Sequence, residues 1–375
     1  MFPVWGFGDI IASNHPVAEV GERVYGYFAP ARYLGECSLI YYSGRLSHFS
    51  RSLGALHGRF EQILLLRAAA SFTARCAFGH PVQTIGTSVL TQIADRRPYN
   101  QVVRCAADAQ YDSDPLAEDL TMLYRPLYWT SFWCEDWLFT SNYRDGAKLI
   151  FISSASSKTA FCLAYCIQTR IRRGEIPAWT RIIGFTSKRN VGFTKRLGLY
   201  HEVVSYDDVD GRSFDPGVRA IYLDVAGSDG LNRKLLAMGG PKFVAVIKLG
   251  MSNVTPTKLD VTNIWTKNNM LEVTTGGAGS SKAPEFETFF MVEWLAVRVK
   301  QLSIREIVGM QARAWNQLLV DAKGWVEITR VCGGEKVKAA YDSALKDGLR
   351  AEDGYVWTLW DEQTGVAGGG AKSKL

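Results

Sequence analysis

Three short stretches of this chain stand out, two of them with side chains that could grip a phosphorylated ligand. Ser154-Ala155-Ser156-Ser157-Lys158-Thr159 sets hydroxyls, small residues and one ammonium group in succession. Ser187-Lys188-Arg189-Asn190 offers a hydroxyl, two cations and an amide, and Asp224-Val225-Ala226-Gly227 places an acid three residues before a glycine. Phosphate is held by backbone N–H groups at a helix N-terminus, reinforced by side-chain donors and positive charge. The first stretch has no glycine, so close approach depends on Ala155, Ser156 and Ser157 being small. Their hydroxyls can donate to phosphate, and Lys158 adds a point charge.

Such residues need elements to position them. The run Lys-Leu-Ile-Phe-Ile-Ser at 148–153 reads as a strand buried on both faces. Beyond the serine turn the period changes, and Ala160, Leu163, Ala164 and Ile167 recur at helical spacing. Strand, tight turn and helix make the opening unit of a nucleotide-binding βαβ. Further strands are expected at 181–186, 202–206, 220–225 and 242–248, with helices at 158–171, 189–197 and 229–238. This alternation predicts an α/β fold with a Rossmann-type, doubly wound parallel sheet and a ligand at the carboxyl ends of its strands.

The end of the second strand speaks to the coenzyme. NAD sites usually place an acid there to accept from the ribose 2′-hydroxyl. Here the sequence is Thr186-Ser187-Lys188-Arg189-Asn190, which would hold a 2′-phosphate. Each charge-assisted contact contributes about 1.5–3 kcal/mol, so NADPH is the expected cofactor. The plainer reading of Lys188 and Arg189 is a solvated basic turn.

Composition narrows the alternatives. A chain of 375 residues with 47% hydrophobic residues is long enough for two globular domains. No apolar run reaches the roughly 18 residues of a membrane span, and the N-terminus lacks a signal-peptide plan, so a soluble, non-secreted protein is expected. The net charge of +6 comes without a long basic block, which suits an anionic small molecule better than nucleic acid or a membrane. The seven cysteines show neither a Cys-x-x-Cys pair nor other metal-ligand spacing, so no metal site is expected. Cys162 and Cys166, one turn apart, read as packing residues.

Trp5-Gly6-Phe7-Gly8-Asp9 followed by Val20-Gly21-Glu22-Arg23-Val24-Tyr25-Gly26-Tyr27 suggests glycine-broken strands with a tight turn at Gly21-Glu22. This pattern resembles the GroES-like catalytic domain of medium-chain dehydrogenase/reductases. The same segments resemble, more closely, the domain-of-unknown-function 2855 family, relatives of that superfamily's zinc-independent quinone and enoyl reductases. Also carrying this resemblance are Tyr99-Asn100-Gln101, Arg125-Pro126-Leu127-Tyr128 with Thr130-Ser131-Phe132, the run 153–160, and Thr186-Ser187 with Arg189-Asn190. It covers most of the chain apart from 37–95 and the tail, and implies a fold and a nicotinamide cofactor but no particular reaction. It further implies that Thr130 and Ser131 approach the cofactor, that Gly227 belongs to an Asp-x-x-Gly turn passing close to it, and that Gly250 borders the nicotinamide. Against the superfamily the GroES-like barrel is short at its N-terminus.

The expected organisation is therefore a GroES-like domain over 1–140, a Rossmann domain over 141–282, a C-terminal helical segment over 283–360 that packs back on the core, and a disordered tail over 361–375. Residues 37–95 hold five arginines, no lysine and two acids, without sustained period. They read as an insertion foreign to the fold, such as translated intron sequence, with an amphipathic helix around 60–70 as the other option. The tail ends in Ser373-Lys374-Leu375, the tripeptide read by the peroxisomal import receptor, so a peroxisomal address is expected, with the cytoplasm as the alternative.

For chemistry, hydride transfer needs a group that polarises the acceptor and supplies a proton. Tyr128 and Tyr99 are the candidate acids, with Asn100 and Arg125 as orienting groups, although in an aromatic-rich chain each reads first as a structural residue. The reading is an NADPH-dependent, zinc-independent reductase of a small carbonyl or activated C=C substrate. The alternative is a catalytically silent nucleotide-binding or scaffold protein, and a homodimer is left open.

Overall fold

The computed structural model describes residues 4–13, 19–28, 33–37, 63–72, 102–140, 146–249 and 285–361. Tyr99, Asn100, Gly250 and the tripeptide Ser373-Lys374-Leu375 lie outside the described residues. The chain divides into two compact units, Met1–Leu123 with Val308–Leu375, and Tyr124–Ile307. The sequence had suggested a division after residue 140 and a separate C-terminal segment.

The second unit contains the alternating pattern. Its strands are β6 (Leu149–Ile152), β7 (Arg181–Thr186), β8 (Glu202–Ser205), β9 (Arg219–Asp224), β10 (Lys242–Lys248) and β11 (Glu285–Thr288). They form a six-stranded sheet in the order β11-β10-β9-β6-β7-β8. Every neighbouring pair is parallel. Numbered from β6, this is the 3-2-1-4-5-6 order of a Rossmann domain, whose topological switch lies between β6 and β9. The helices between the strands are α2 (Lys158–Arg172), α3 (Val191–Arg196) and α4 (Asp229–Leu236). Expected and observed boundaries agree within one or two residues, because a parallel strand covered on both faces is apolar throughout. All four residues of β6 are buried.

One face of this sheet packs Leu149, Phe151, Ile183, Phe185, Tyr222 and Val246 against Leu231 and Leu235 of α4. Phe151 lies at its centre, with ring centroids 5.2 Å from Phe185, 5.1 Å from Phe214 and 5.5 Å from Phe243. A long helix, α1 (Pro115–Thr140), contains the division between the units.

The first unit holds a seven-stranded mixed sheet of β1 (Val4–Ser13), β2 (Arg23–Phe28), β3 (Tyr33–Cys37), β4 (Ile63–Phe72), β5 (Val103–Arg104), β12 (Glu327–Cys332) and β13 (Asp353–Thr358). β1 and β2 pair antiparallel, and Gly21 makes the turn between them with φ +91°. Gly21 N–H donates to the Ile10 carbonyl at 2.7 Å, and Ile10 N–H to Glu22 at 2.9 Å. Arg23 locks this hairpin, reaching Asp9 at 2.7 Å and Glu118 at 2.5 Å.

Two expectations need correction here. The segment read as foreign to the fold supplies β4, which pairs with β1 along one edge and with β3 and β13 along the other. Ile63-Leu64-Leu65-Leu66 was open to a helical reading because leucine and alanine favour helices, and pairing on both edges overrides that propensity. The C-terminal segment 283–360 is likewise not all helical. It contributes β11 to the parallel sheet and β12 and β13 to the mixed one, beside α5 (Met291–Gln301), α6 (Ile304–Asp321) and α7 (Gly334–Asp347).

Candidate functional site

The loop 153–157 between β6 and α2 sits at the switch point. Its backbone is braced from three sides. Ser153 N–H donates to the Leu223 carbonyl of β9 at 3.1 Å, and Ala155 N–H to Phe185 of β7 at 2.9 Å. Ser154 N–H donates to the Tyr206 hydroxyl beyond β8 at 3.0 Å. Ser154 takes φ +53°, the left-handed conformation that a glycine would adopt without strain. No residue-type signal revealed this, since a serine gives no warning of a left-handed backbone.

Ser157 caps α2: its Oγ accepts from Ala160 N–H at 3.4 Å, and its own N–H closes the turn onto the Ser154 carbonyl at 2.7 Å. Ser156 N–H and Thr159 N–H have no acceptor among the described residues, so both are available to an anion at the start of a fifteen-residue helix. Lys158 is the first residue of that helix. Ser156 Oγ accepts from Thr186 Oγ1 and from Asn190 Nδ2, each at 3.0 Å. The first two stretches singled out in the sequence are therefore joined by a direct hydrogen bond. Lys188 and Arg189 belong to the second of them and share a single helical turn with Asn190, both exposed and without an acidic partner among the described residues.

The third stretch lies across the switch. Asp224 is fully buried, and no cation pairs with it among the described residues. Its carboxylate accepts from Ser153 Oγ at 3.1 Å, Gly227 N–H at 2.8 Å and Asn232 Nδ2 at 2.8 Å. Ser153 Oγ in turn accepts from Val225 and Ala226 N–H, both at 2.9 Å. Tyr222 completes the network by donating to Asn232 Oδ1 at 2.6 Å. Gly227 turns there with φ +63°, so the acid of the Asp-x-x-Gly turn fixes its glycine.

Tyr206 was missed by sequence reasoning because it reads as the last residue of the strand expected over 202–206, whereas β8 ends at Ser205 and Tyr206 lies beyond it. Burial pushes its hydroxyl up to about 12, so it stays protonated and accepts from Ser154 while keeping its own O–H to donate. Tyr200 anchors the loop as well, donating to the Ala155 carbonyl at 2.9 Å. Gly184 of β7 lies beneath both. A Cβ there would meet Ala155 Cβ and Cδ1 of the Tyr200 ring, each at 2.8 Å. Gly184→Ala is expected to cost about 1–3 kcal/mol through overpacking, read as a lower denaturation midpoint, because neither neighbour can yield without moving the loop. An unchanged midpoint would show that the loop is not held against β7.

Other candidates are placed differently. Tyr128 is 2% exposed, and its hydroxyl faces the Cys166 thiol inside the unit. Burial pushes its pKa well up, and a phenol so enclosed is a packing residue rather than the proton donor expected from the sequence. Ser131 is fully buried, with its hydroxyl 2.8 Å from the Thr159 carbonyl and 3.0 Å from that of Leu127. It ties α1 to the first turn of α2 instead of facing a ligand. Thr130 bonds back to the Pro126 carbonyl at 3.3 Å, and Arg125 is buried. Cys162 and Cys166 are buried in α2, and burial raises both thiols. Among the described residues no three His, Cys, Asp or Glu side chains converge on a metal-sized site, and no helix is long and apolar enough to cross a membrane.

Residues 1–350 match the family described as "Protein of unknown function (DUF2855)". The chain belongs to this family. The strand order of its parallel sheet is that of a Rossmann domain, the fold expected from the sequence. No curated protein matches it in sequence. Among solved structures it is similar to Bacillus subtilis protein yhfP with NAD bound, at 13% identity and a TM-score of 0.44, covering 96% of this chain and 81% of that one. It is also similar to CurA from Vibrio vulnificus in complex with NADPH, at 10% identity and TM-score 0.40, covering 96% and 89%. For the yhdH oxidoreductase from Salmonella enterica in complex with NADP the values are 14% and 0.38, and the chain spans 66% of that protein's length with 68% of its own.

Proposed function

We propose that this family member is an NADPH-binding, zinc-independent oxidoreductase of medium-chain reductase type, reducing a carbonyl or an activated carbon–carbon double bond. The observation that carries the reading is the hydrogen bond between Ser156 and Asn190. It sets an exposed Lys188–Arg189 turn beside the phosphate loop at the carboxyl ends of β6 and β7. No acid occupies the turn after β7, so a 2′-phosphate would meet two cations and no repulsion. Ser156 N–H, Thr159 N–H and the start of α2 would take the pyrophosphate. When bound, the coenzyme supplies the hydride. The zinc-independent part rests on the cysteine spacing of the sequence.

The protein's own contribution is to orient the dinucleotide across the switch, where Gly227 and the Asp224 network define the floor. With Tyr128 enclosed, the proton source falls to another group, and Tyr99 remains the sequence's second candidate. A second reading, a silent nucleotide-binding protein, is favoured by that enclosure and by the loop's spending the Ser153, Ser154 and Ala155 amides on the protein itself.

A calorimetric titration of NADPH against NADH tests the first reading. The expected result is preferential NADPH binding by ten-fold or more, the lower bound from one charge-assisted contact. Binding of neither coenzyme would overturn it. Following NADPH oxidation over enones, quinones and enoyl thioesters separates the two readings, since a silent binder turns over with none of them.

A further inference from the structure

Ser156 is bonded unusually fully for a half-exposed serine. A hydroxyl has two acceptor lone pairs and one proton. Thr186 is buried at 1% exposure, and Ser156 is its hydroxyl's hydrogen-bond partner. An orphaned buried donor is costlier than an unfilled lone pair, so the Thr186 proton goes to Ser156. Asn190 Nδ2 donates to the same oxygen from the other side. Both lone pairs are filled, and the Ser156 proton is left to donate out of the protein, beside its equally uncommitted backbone N–H.

Asn190 has a second geometric role. It is the last residue of the Lys188–Asn190 turn, and its amide is the side-chain link between that turn and the phosphate loop. Thr194 Oγ1 takes its carbonyl at 2.8 Å, so the backbone behind the amide is held as well. The turn with the two cations is thereby kept in fixed register with the serine that addresses the phosphate.

We propose that Asn190 is a specificity-determining positioning residue: it latches the cationic turn to Ser156 so that a single dinucleotide meets Ser156 through its pyrophosphate and Lys188–Arg189 through a 2′-phosphate. This deepens the functional reading above and rests on it. Asn190 needs to touch no ligand. Its effect falls on the extra phosphate alone, whereas Ser156 serves any nicotinamide dinucleotide.

The test is a set of NADPH and NADH titrations of the full chain and three variants. Ser156→Ala is expected to weaken both coenzymes by about ten-fold, the loss of one hydrogen bond to a charged group, and, because it also removes the acceptor of the Asn190 amide, to lower the NADPH to NADH preference as Asn190→Ala does. Asn190→Ala is expected to reduce the NADPH to NADH preference by about ten-fold while NADH affinity moves two-fold or less. Asn190→Asp, of the same shape, takes the Ser156 proton and adds negative charge, and is expected to reduce the preference further. Thermal midpoints of the variants control for folding, and a purely structural Asn190 would shift both affinities together. Wild-type protein that prefers NADPH while Asn190→Ala keeps the wild-type ratio overturns the latch and spares the functional reading. Wild-type protein that binds neither coenzyme overturns both.

Discussion

Replacing Asp224 with alanine is expected to lower the free energy of unfolding by about 3–5 kcal/mol, more than any other single side chain at the site. The carboxylate is fully buried, and three donors from Ser153, Gly227 and Asn232 converge on it. Truncation strands all three in the interior, at about 1–3 kcal/mol each before relaxation. Asp224→Asn should cost less, because the amide keeps one acceptor while turning its own donors toward Gly227 N–H or the Asn232 amide. Denaturant midpoints at constant slope measure the effect. A loss under about 1 kcal/mol would mean that water reaches the network and replaces the missing oxygens. The floor of the switch point would then be wet, and the Gly227 turn would not be fixed by its own acid.

The second large effect concerns the ligand. Removing both cations in Lys188→Ala/Arg189→Ala should weaken NADPH by about a hundred-fold or more, at about 1.5–3 kcal/mol for each charge-assisted contact, and leave NADH within a few-fold. Both side chains are exposed, so protein stability should hardly change. Wild-type affinity for NADPH should also fall with added salt more steeply than affinity for NADH, because exposed charges are screened. Equal losses for both coenzymes would place the cations on the pyrophosphate, and no loss would make the turn merely solvated.

The Rossmann half was legible because its strands are covered on both faces, and such strands write themselves as unbroken apolar runs between helical periods. β6, β7, β9 and β10 follow that rule. β11 breaks it: Glu-Phe-Glu-Thr is a four-residue strand with a single large apolar residue and so carries no apolar run to read. β4 was obscured for another reason, since its place depends on partners near both ends of the chain that no local window contains. Tyr128 was misread although its pattern was present. Tyr124, Tyr128, Ser131, Glu135 and Leu138 recur every three or four residues and are all buried, the stripe of a helix facing a core. Dense aromatics on the other faces of α1 hid that stripe. In the site itself, residue types singled out the serine loop and the basic turn that Asn190 joins to it. The left-handed backbone of Ser154 and the reach of Tyr206 are products of packing, and composition does not encode them.

The bracing of residues 153–155 onto three different strands or their exits has a thermodynamic corollary. A cradle whose amides already lean on Leu223, Phe185 and Tyr206 is finished before any guest arrives, so docking freezes little additional chain. The same economy leaves fewer hands free to grasp. A stiff receptacle with few open donors should discriminate by shape and by the one extra phosphate, and should release its nucleotide readily.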